Sequence, residues 1–527
     1  MRRFSSYGPV DKDLHYYVPR KELIEKGFNL LIGEDPAHGG HYFTVWAPRQ
    51  CGKTWILQES IALIRKSGLV EVAMFSVSRA RDLTDEEGVM NILVEELQFA
   101  FNRPFPPLKH ISDLRRLFTK DYFSKPVILV LDEFDALDES IIHRFANVFR
   151  DLYIVRNGEK DKTPGEKNCL LHGLALIGVR SVLGIDNSSG SPFNVQRNFP
   201  IPNLTFDEVE SLFKCYEKES GQEVDKAVPR ALYDETLGQP GLTCWFGELL
   251  TETYNKNLEK PITIENFKEV FGAATYLLPN NNILNLISKV NKPPYDEMVM
   301  DFFETGEKAA FSFDEPDINY LFTNGVIVPE IVSADEYYVK FSCPFVQKRL
   351  FNYFSRKYFD YLGQLISPVD SMKDAITEEV LFIPNIIKRY REYLKKNRDI
   401  FFKEVPRRKT DLKIYEAVYH FNLYRYLFDL LKKRGVDIIP QFPTGNGKID
   451  LILKYQGRIY PIELKSFRDM FTFEKGIEQA ADYCRQMGWA EIFYLVFVEL
   501  SEVDVRQFEK TVEQNGITVS ILPVSIL

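Results

Sequence analysis

The segment from residue 41 to residue 64 constrains the fold more than any other part of the chain. It reads HYFTVWAPRQCGKTWILQESIALI, which predicts a buried strand, a tight loop and an amphipathic helix. The loop is GxxxxGKT except that Ala47 stands at the first glycine, and alanine fits there wherever φ is negative. Backbone N–H groups of such a loop hold phosphate oxygens, while Lys53 would bridge the β and γ phosphates of ATP and Thr54 would ligate Mg²⁺. The predicted nucleotide-binding residues of this segment are Ala47, Gln50, Cys51, Gly52, Lys53, Thr54 and Trp55.

A second apolar run ends in acidic residues and completes this prediction. Residues 125–135 read KPVILVLDEFD, a continuous apolar strand of the kind that parallel sheets bury on both faces. We expect Asp132 to support Mg²⁺ through water and Glu133 to polarise the attacking water, as in Walker B elements. Glu133 could instead be a structural cap of the following helix. The two elements in this order predict that the chain binds ATP, and Glu133 indicates that the bound ATP is also hydrolysed.

Four further segments fit a nucleotide site. A third strand, predicted over residues 170–179, ends at Arg180, where a side chain that senses the γ phosphate would lie. A helix is predicted to begin at Thr205, with Glu208 forming a capping box. The sequence GQPG at residues 238–241 lies in a helical region, and VPRKEL at 18–23 precedes the loop.

Together these elements resemble AAA-type ATPases of the STAND and archaeal-ATPase kind, over roughly the first half of the chain. In that family an Arg-x-x-Glu-Leu element and a Gly-x-Pro element frame the adenine. The resemblance therefore implies adenine contacts from Arg20 and Pro240. This chain departs from the family pattern at Val18 and Pro19, which replace an aromatic-glycine pair, and in having one residue rather than two between Arg20 and Glu22.

The C-terminal quarter carries a different pattern, GKIDLILKYQGRIYPIELK at residues 447–465. It predicts a strand from 449 to 455, a turn at 456–457 and a returning strand from 458 to 465. The hairpin would bring Glu463 back near Asp450. Because Glu463 and Lys465 are two residues apart, they share one face of the strand, with Leu464 directed into the core. Two carboxylates and an amine so placed suit metal-dependent phosphodiester cleavage, although a solvated charged strand face is the alternative.

This pattern resembles the PD-(D/E)XK nuclease superfamily, with Ile449 in place of the proline before the first acid. The resemblance implies a restriction-endonuclease-like α/β domain, with Mg²⁺ on Asp450 and Glu463 and Lys465 near the attacking water. It also implies an additional acidic ligand, Glu416, on the preceding helix, and the Leu464 carbonyl is a further candidate ligand. Gln479 and Tyr483 lie four apart, share a helix face and match the QxxxY element of the exonuclease-like branch, where they would hold the substrate backbone.

Composition bounds the remaining possibilities. A chain of 527 residues should hold several domains, and 45% hydrophobic with 27% charged residues is typical of a globular protein. The N-terminus has no signal-peptide core and no apolar run reaches membrane-spanning length, so a cytoplasmic location and no membrane partner are expected. The six cysteines lack metal-ligand or disulfide spacing and should be reduced and mostly buried.

We expect an α/β protein with five parts. They are a P-loop ATPase core (1–200), a helical subdomain (201–275), a winged-helix-like domain (276–355), a helical connector (356–410) and a nuclease-like domain (411–527). Residues 388–413 are locally basic despite the formal net charge of −9, which suits either a phosphate-tracking surface or a solvated helix and linker.

The sequence thus predicts an ATP-regulated, Mg²⁺-dependent nuclease whose partner is nucleic acid, with DNA favoured. In this hypothesis ATP biases the domain arrangement and so gates the nuclease face. The alternatives are a signalling or regulatory ATPase whose C-terminal domain binds nucleic acid without cutting, and a mobile-element or DNA-repair ATPase that handles ends. A phage-defence effector is compatible with the same architecture, and self-association or a trigger-sensing partner protein is left open.

Overall fold

The chain forms two compact units in the computed structural model. Unit 1 comprises Met1–Leu286, Ser312–Val328 and Ser342–Pro344. Unit 2 comprises the intervening segments and Phe345–Leu527. The residues described are 1–8, 10–35, 39–178, 197–303, 309–359, 372–403, 405–408, 411–443, 448–500 and 505–526. The finer division into five domains stays a prediction.

Unit 1 contains a parallel five-stranded sheet, as the buried apolar runs predict. The strand order is β2-β3-β4-β1-β5, and every neighbouring pair is parallel. Alternate residues of the third strand enter opposite apolar clusters: Leu129 lies in one and Val130 in the other. The core therefore covers both faces of the sheet. The strands are β1 (Tyr42–Trp46), β2 (Glu71–Ser76), β3 (Val127–Asp132), β4 (Leu171–Gly178) and β5 (Arg197–Asn198).

Eight α-helices precede residue 280 in the described part of unit 1. They are α1 (Lys21–Ile32), α2 (Lys53–Ser67), α3 (Glu86–Phe101), α4 (Glu139–Gly158), α5 (Phe206–Ser220), α6 (Ala227–Thr236), α7 (Pro240–Glu248) and α8 (Ile264–Tyr276). The predicted capping box is confirmed, because Thr205 and Glu208 exchange side-chain to backbone hydrogen bonds at the start of α5.

Short helices and a two-stranded sheet occupy the middle of the chain. They are α9 (Asn281–Val290), α10 (Tyr295–Phe303), α11 (Pro316–Thr323), β6 (Ile327–Ile331), β7 (Tyr337–Phe341), α12 (Pro344–Phe359) and α13 (Ile383–Phe401). The strands β6 and β7 pair with each other in a two-stranded sheet. The winged-helix assignment itself stays a prediction.

The C-terminal part of unit 2 is built on a mixed six-stranded sheet. Its order is β12-β13-β11-β10-β9-β8. The pairs β8-β9, β9-β10 and β12-β13 are antiparallel, whereas β10-β11 and β11-β13 are parallel. The elements are α14 (Glu416–Leu431), β8 (Asp437–Pro443), β9 (Lys448–Tyr455), β10 (Arg458–Ser466), α15 (Met470–Gln486), β11 (Glu491–Val498), β12 (Lys510–Gln514) and β13 (Ile517–Ser525).

The hairpin between β9 and β10 forms with the expected register. Tyr455 lies opposite Arg458, so the turn has two residues, Gln456 (φ 47°) and Gly457 (φ 74°). Positive φ at both positions is what the right-handed twist of such a hairpin requires. The returning strand therefore carries Glu463 back along β9 toward Asp450.

Most of the cysteines are buried. All six lie in the described ranges, none of them forms a disulfide, and four of them are buried. Among the described residues, no helix is both long enough and apolar enough to span a bilayer.

Candidate functional site

The phosphate-binding loop joins β1 to α2 in the arrangement that its sequence predicts. Gly52 is the N-cap of α2 with φ 87°, and Gln50 also has positive φ, whereas Ala47 does not. The substitution of the first glycine is thus tolerated by the backbone. Nζ of Lys53 donates to the carbonyl oxygens of Ala47 (2.7 Å) and Pro48 (2.8 Å). Burial lowers the pKa of Lys53, and a bound anion would oppose that effect.

The end of β3 meets the start of α2. The Thr54 hydroxyl donates to Oδ2 of Asp132 over 2.7 Å. This contact brings together the two side chains predicted to share Mg²⁺. A hydroxyl and a carboxylate beside a phosphate loop are hard oxygen donors of the kind Mg²⁺ takes alongside nucleotide phosphates.

Glu133 has a partner that the sequence did not indicate. It adopts a left-handed conformation (φ 53°), and its Oε2 accepts a hydrogen bond from the Ser76 hydroxyl over 2.7 Å. That hydrogen bond, with a second from Ser78, lowers the pKa of Glu133, so the carboxylate is ionised at neutral pH. Glu133 is the N-cap residue of the 3₁₀ turn Phe134–Ala136, but its side chain makes no capping hydrogen bond there, and the next helix, α4, is capped by Asp138. Side-chain capping therefore does not explain Glu133.

The GQPG segment contacts the loop directly. The N–H of Gly241 donates to the carbonyl of Gln50 (3.1 Å), and Nε2 of Gln239 donates to the carbonyl of Arg49 (3.1 Å). Pro240 is the first residue of α7. The helical part of unit 1 is thus tied to the backbone of the phosphate loop.

The other predicted nucleotide contacts lie in different surroundings. Arg20 donates to the carbonyls of Pro202 (2.7 Å) and Asn203 (3.1 Å) and lies 3.3 Å from Glu208. Trp55 packs against Tyr17, with ring centroids 5.5 Å apart. Cys51 is buried, and Arg180 lies outside the described residues. The roles of these side chains in nucleotide binding stay predictions.

The predicted acidic residues of unit 2 converge on one lysine. Nζ of Lys465 lies 3.3 Å from Oε1 of Glu416 and 3.4 Å from Oε1 of Glu463. Glu416 opens α14 and its Oε2 accepts from the backbone N–H of Ser466 (2.8 Å). The N–H of Leu464 donates to Oδ2 of Asp450 over 2.9 Å. The hairpin and the helix before it therefore bring Glu416, Asp450, Glu463 and Lys465 together, and all four are buried.

Burial and mutual interaction shift the pKa values of these side chains. It raises the pKa of Glu463, with Asp450 adding repulsion, and it also raises the pKa of Asp450. Burial alone would lower the pKa of Lys465, but Glu416, Glu463 and Asp450 outweigh it and raise that pKa. A charged face exposed to water would not behave in this way. The solvated-strand interpretation of Asp450, Glu463 and Lys465 is therefore not supported.

A second lysine enters the same cluster. Lys448, two residues before Asp450 on β9, donates from Nζ to the carbonyls of Phe302 (2.9 Å) and Phe303 (3.2 Å). Phe302 and Phe303 are the last two residues of α10. Burial lowers the pKa of Lys448 to about 8, against the opposing pull of Asp450.

Helix α15 carries the predicted Gln479 and Tyr483 on one face. Nε2 of Gln479 donates to the Tyr483 hydroxyl over 2.6 Å. Burial, and after it the charge of Glu463, raises the pKa of Tyr483 to about 12. The pair is thus formed, and Tyr483 lies within electrostatic reach of the acids.

Besides Lys448, two residues of this site were not predicted from the sequence. His420 lies one helical turn after Glu416, and its Nδ1 is 3.0 Å from Nε2 of Gln441. Gln441 also donates to Oδ1 of Asp450 over 3.2 Å. Burial lowers the pKa of His420 to about 3, so its ring is neutral. The spacing of His420 from Glu416 was a signal in the sequence, whereas Gln441 had none.

The donor chemistry of this cluster fits a hard divalent cation. Asp450 and Glu463 are buried carboxylates on neighbouring strands, and each has a raised pKa that a nearby cation would lower. Mg²⁺ is commonly held by one or two carboxylates, with waters and substrate phosphates completing its shell. Within the described ranges, no group of three or more histidine, cysteine, aspartate or glutamate side chains is placed to hold a metal ion by itself.

Comparison with known proteins leaves the family of the chain open. No family model matches it, and no curated protein matches it. A Walker-type ATPase of Pyrococcus abyssi aligns with 66% of this chain and 99% of its own, at 14% identity and a TM-score of 0.44. Cdc6p of Pyrobaculum aerophilum aligns with 66% of this chain and 95% of its own, at 16% identity and a TM-score of 0.36. A RuvB mutant of Thermotoga maritima aligns with 61% of this chain and 92% of its own, at 12% identity and a TM-score of 0.35. Likenesses at this level assign no activity, so the assignment of sites rests on the residues described above.

Proposed function

We propose that this chain is an ATP-binding, ATP-hydrolysing protein that cleaves DNA in a divalent-metal-dependent reaction, with the nucleotide controlling the cleavage. The observation that carries the nuclease proposal is the buried cluster in which Lys465 lies 3.3 Å from Glu416 and 3.4 Å from Glu463, beside Asp450. Such a cluster is costly to bury without a purpose, because buried charges lose their hydration. Perturbed acids and bases of this kind are concentrated at functional sites.

Asp450 and Glu463 would hold the cation, with Glu416 and the Leu464 carbonyl as further candidate ligands. A bound Mg²⁺ would supply Lewis-acid polarisation of the phosphodiester. Nζ of Lys465 lies within 3.4 Å of both glutamates, where a protonated amine would compensate charge at the phosphate and orient the water.

The ATPase part of the proposal is supported by three contacts in unit 1. The Thr54 hydroxyl bonds to Asp132, Lys53 lies within the loop, and Ser76 holds the ionised Glu133. Lys53 would hold the β and γ phosphates and Glu133 would orient the attacking water. Gly241, bonded to Gln50, gives the helical part of unit 1 a direct link to the phosphate loop.

Cleavage is tested with the purified full-length chain on linear, circular and single-stranded DNA and on RNA. Each substrate is incubated with Mg²⁺ or EDTA, and with ATP, a non-hydrolysable ATP analogue or no nucleotide. We expect Mg²⁺-dependent cleavage of DNA whose rate depends on the nucleotide. The absence of Mg²⁺-dependent cleavage on all four substrates would refute the nuclease proposal.

Matched variants separate the two activities. Glu463→Gln keeps the size of the side chain but removes its charge, and we expect it to lower cleavage by about 100-fold or more while ATP binding is unchanged. Lys53→Ala should weaken ATP binding and remove the nucleotide dependence of cleavage. Glu491→Gln, at an exposed position of β11, is the control and should match the wild type. Wild-type cleavage by Glu463→Gln would contradict the assignment of the site.

A second candidate function is nucleic-acid binding without cleavage under control of the ATPase. Its supporting observation is that Lys465 is ion-paired to two of the three acids, and the described residues contain no ready-made set of three metal-binding side chains. Gel-shift binding of DNA that is insensitive to Glu463→Gln, without cleavage by the wild type, would favour this candidate.

A further inference from the structure

Gln441 has a backbone conformation that ordinary strand geometry does not explain. In the register of β8 and β9, Pro440 lies opposite Leu451 and Phe442 lies opposite Ile449, so Gln441 lies opposite Asp450. Gln441 has φ 52°, which is unusual for a residue other than glycine. A strained backbone of this kind destabilises the folded chain and is often retained at functional sites.

The conformation directs the carboxamide into the acidic cluster. Its Nε2 donates to Oδ1 of Asp450 (3.2 Å) and contacts Nδ1 of His420 (3.0 Å), while its Oε1 accepts from Nε2 of Gln347 (3.2 Å). Both N–H groups and the carbonyl oxygen of the Gln441 amide are therefore hydrogen-bonded. The contacts also fix which end of the amide faces Asp450, because only the nitrogen can donate to a carboxylate.

Asp450 is consequently held at both oxygens. Gln441 donates to Oδ1, and the backbone N–H of Leu464 donates to Oδ2 (2.9 Å). Each carboxylate oxygen has more than one acceptor site, so these two bonds fix the carboxylate plane and leave acceptor capacity for a cation. Donors that fix a ligand in this way commonly change metal affinity by about 10–100-fold when removed.

We propose that Gln441 is a positioning residue that orients Asp450 to bind a divalent cation, and that its unusual backbone conformation is retained for this purpose. This inference rests on the proposed function, since it assigns a role toward the cation of that site. His420 and Gln347 hold the amide in place and are not ligands in this scheme.

Gln441→Asn distinguishes positioning from a structural role. Asparagine tolerates positive φ better than most residues, so the variant should keep the backbone conformation, although losing the buried hydrogen bonds of the amide should lower its thermal stability. Its amide is one methylene shorter and would no longer reach Asp450. A purely structural role predicts lower thermal stability with unchanged metal binding by the folded protein, whereas positioning predicts weaker metal binding by the folded protein.

The readout is Mn²⁺ binding to the nucleotide-free full-length chain, followed by the electron paramagnetic resonance signal of free Mn²⁺. We expect the wild type to bind Mn²⁺ at this site, Glu463→Gln to lose that binding, and Gln441→Asn to bind about 10-fold more weakly. The Mg²⁺ concentration for half-maximal DNA cleavage should rise by a similar factor, with a smaller change in the rate at saturating Mg²⁺. Gln347→Asn is the matched control, and we expect a smaller loss because Gln441 still contacts Asp450.

The outcomes separate this inference from the proposed function. If Glu463→Gln loses Mn²⁺ binding and cleavage but Gln441→Asn binds Mn²⁺ as the wild type does, the positioning role is wrong and the nuclease proposal stands. If the wild type neither binds Mn²⁺ at this site nor cleaves DNA, both are wrong. If Gln441→Asn fails to fold, Gln441→Met provides the same comparison, because it keeps the side-chain length and removes the donor.

Discussion

We predict that unit 1 loses stability at mildly acidic pH because His172 is buried in its neutral form. The ring lies in β4 with 2% exposure, and its Nδ1 is 2.9 Å from Nη2 of Arg156. Its Nε2 lies 2.7 Å from the carbonyl oxygen of Ile32. Arg156 can only donate, so Nδ1 must accept and Nε2 must carry the proton. The native structure therefore selects the neutral imidazole.

The sign and size of the effect follow from the pKa of this ring. Burial, followed by the charge of Arg156, lowers the pKa of His172 from 6.5 to about 4. Between these values the unfolded chain binds a proton that the folded chain does not, so the free energy of unfolding falls as the pH falls. The full effect is about 3 kcal/mol, of which about 2 kcal/mol is lost between pH 7 and pH 5.

Urea unfolding at pH 7 and pH 5 measures this effect. The tryptophans are residues 46, 55, 245 and 489, and of these only Trp489 belongs to unit 2. In a Trp489→Phe background, tryptophan fluorescence therefore reports on unit 1. His172→Gln cannot titrate, and its free energy of unfolding should fall by about 2 kcal/mol less than that of the parent between the two pH values. Equal pH dependence of the two proteins would exclude His172 as the source of this loss of stability.

Two further predictions concern the nucleotide site. Glu133→Gln should retain ATP binding but lower ATP hydrolysis by about 100-fold or more, because the ionised carboxylate held by Ser76 is removed. A radiolabelled-phosphate release assay measures hydrolysis, and a titration with ATP measures binding. Unchanged hydrolysis would contradict a role for this acid. Gly241→Ala should weaken ATP binding, because a Cβ there would lie 2.5 Å from Cβ of Gln50 and push α7 away from the loop. Gly158→Ala is the control, because a Cβ at that position meets nothing within 4 Å. Equal ATP affinities of Gly241→Ala and the wild type would show that the contact between Gly241 and Gln50 does not matter for binding.

Much of the fold was predictable because its signals are local. The phosphate loop and the strand that ends at Asp132 are contiguous motifs, and the parallel sheet follows from continuous apolar runs. The hairpin that pairs Asp450 with Glu463 follows from period-two patterning around a two-residue turn. Glu416, in contrast, was predicted from the resemblance to a nuclease superfamily that often has an additional acidic ligand on the preceding helix.

The rest of the site depends on register and on backbone conformation, which a single sequence does not display. Gln441 lies in the run DIIPQFP, where one polar residue in an apolar strand would ordinarily face solvent. Its positive φ has no signal in the sequence, because asparagine and glycine are the residues that normally indicate it. The bond from Ser76 to Glu133 likewise requires the alignment of β2 with β3, in which Ser76 lies opposite Asp132.

The two-residue turn at Gln456 and Gly457 also offers an experimental handle. Both residues are exposed, and Gln456 is six residues from Asp450 along β9, a distance of about 20 Å in an extended strand. Exposed turn tips tolerate insertions and labels better than other sites. A fluorophore attached there would report on the C-terminal sheet from outside the acidic cluster, so the response of this part of the protein to nucleotide could be followed without altering a single candidate ligand.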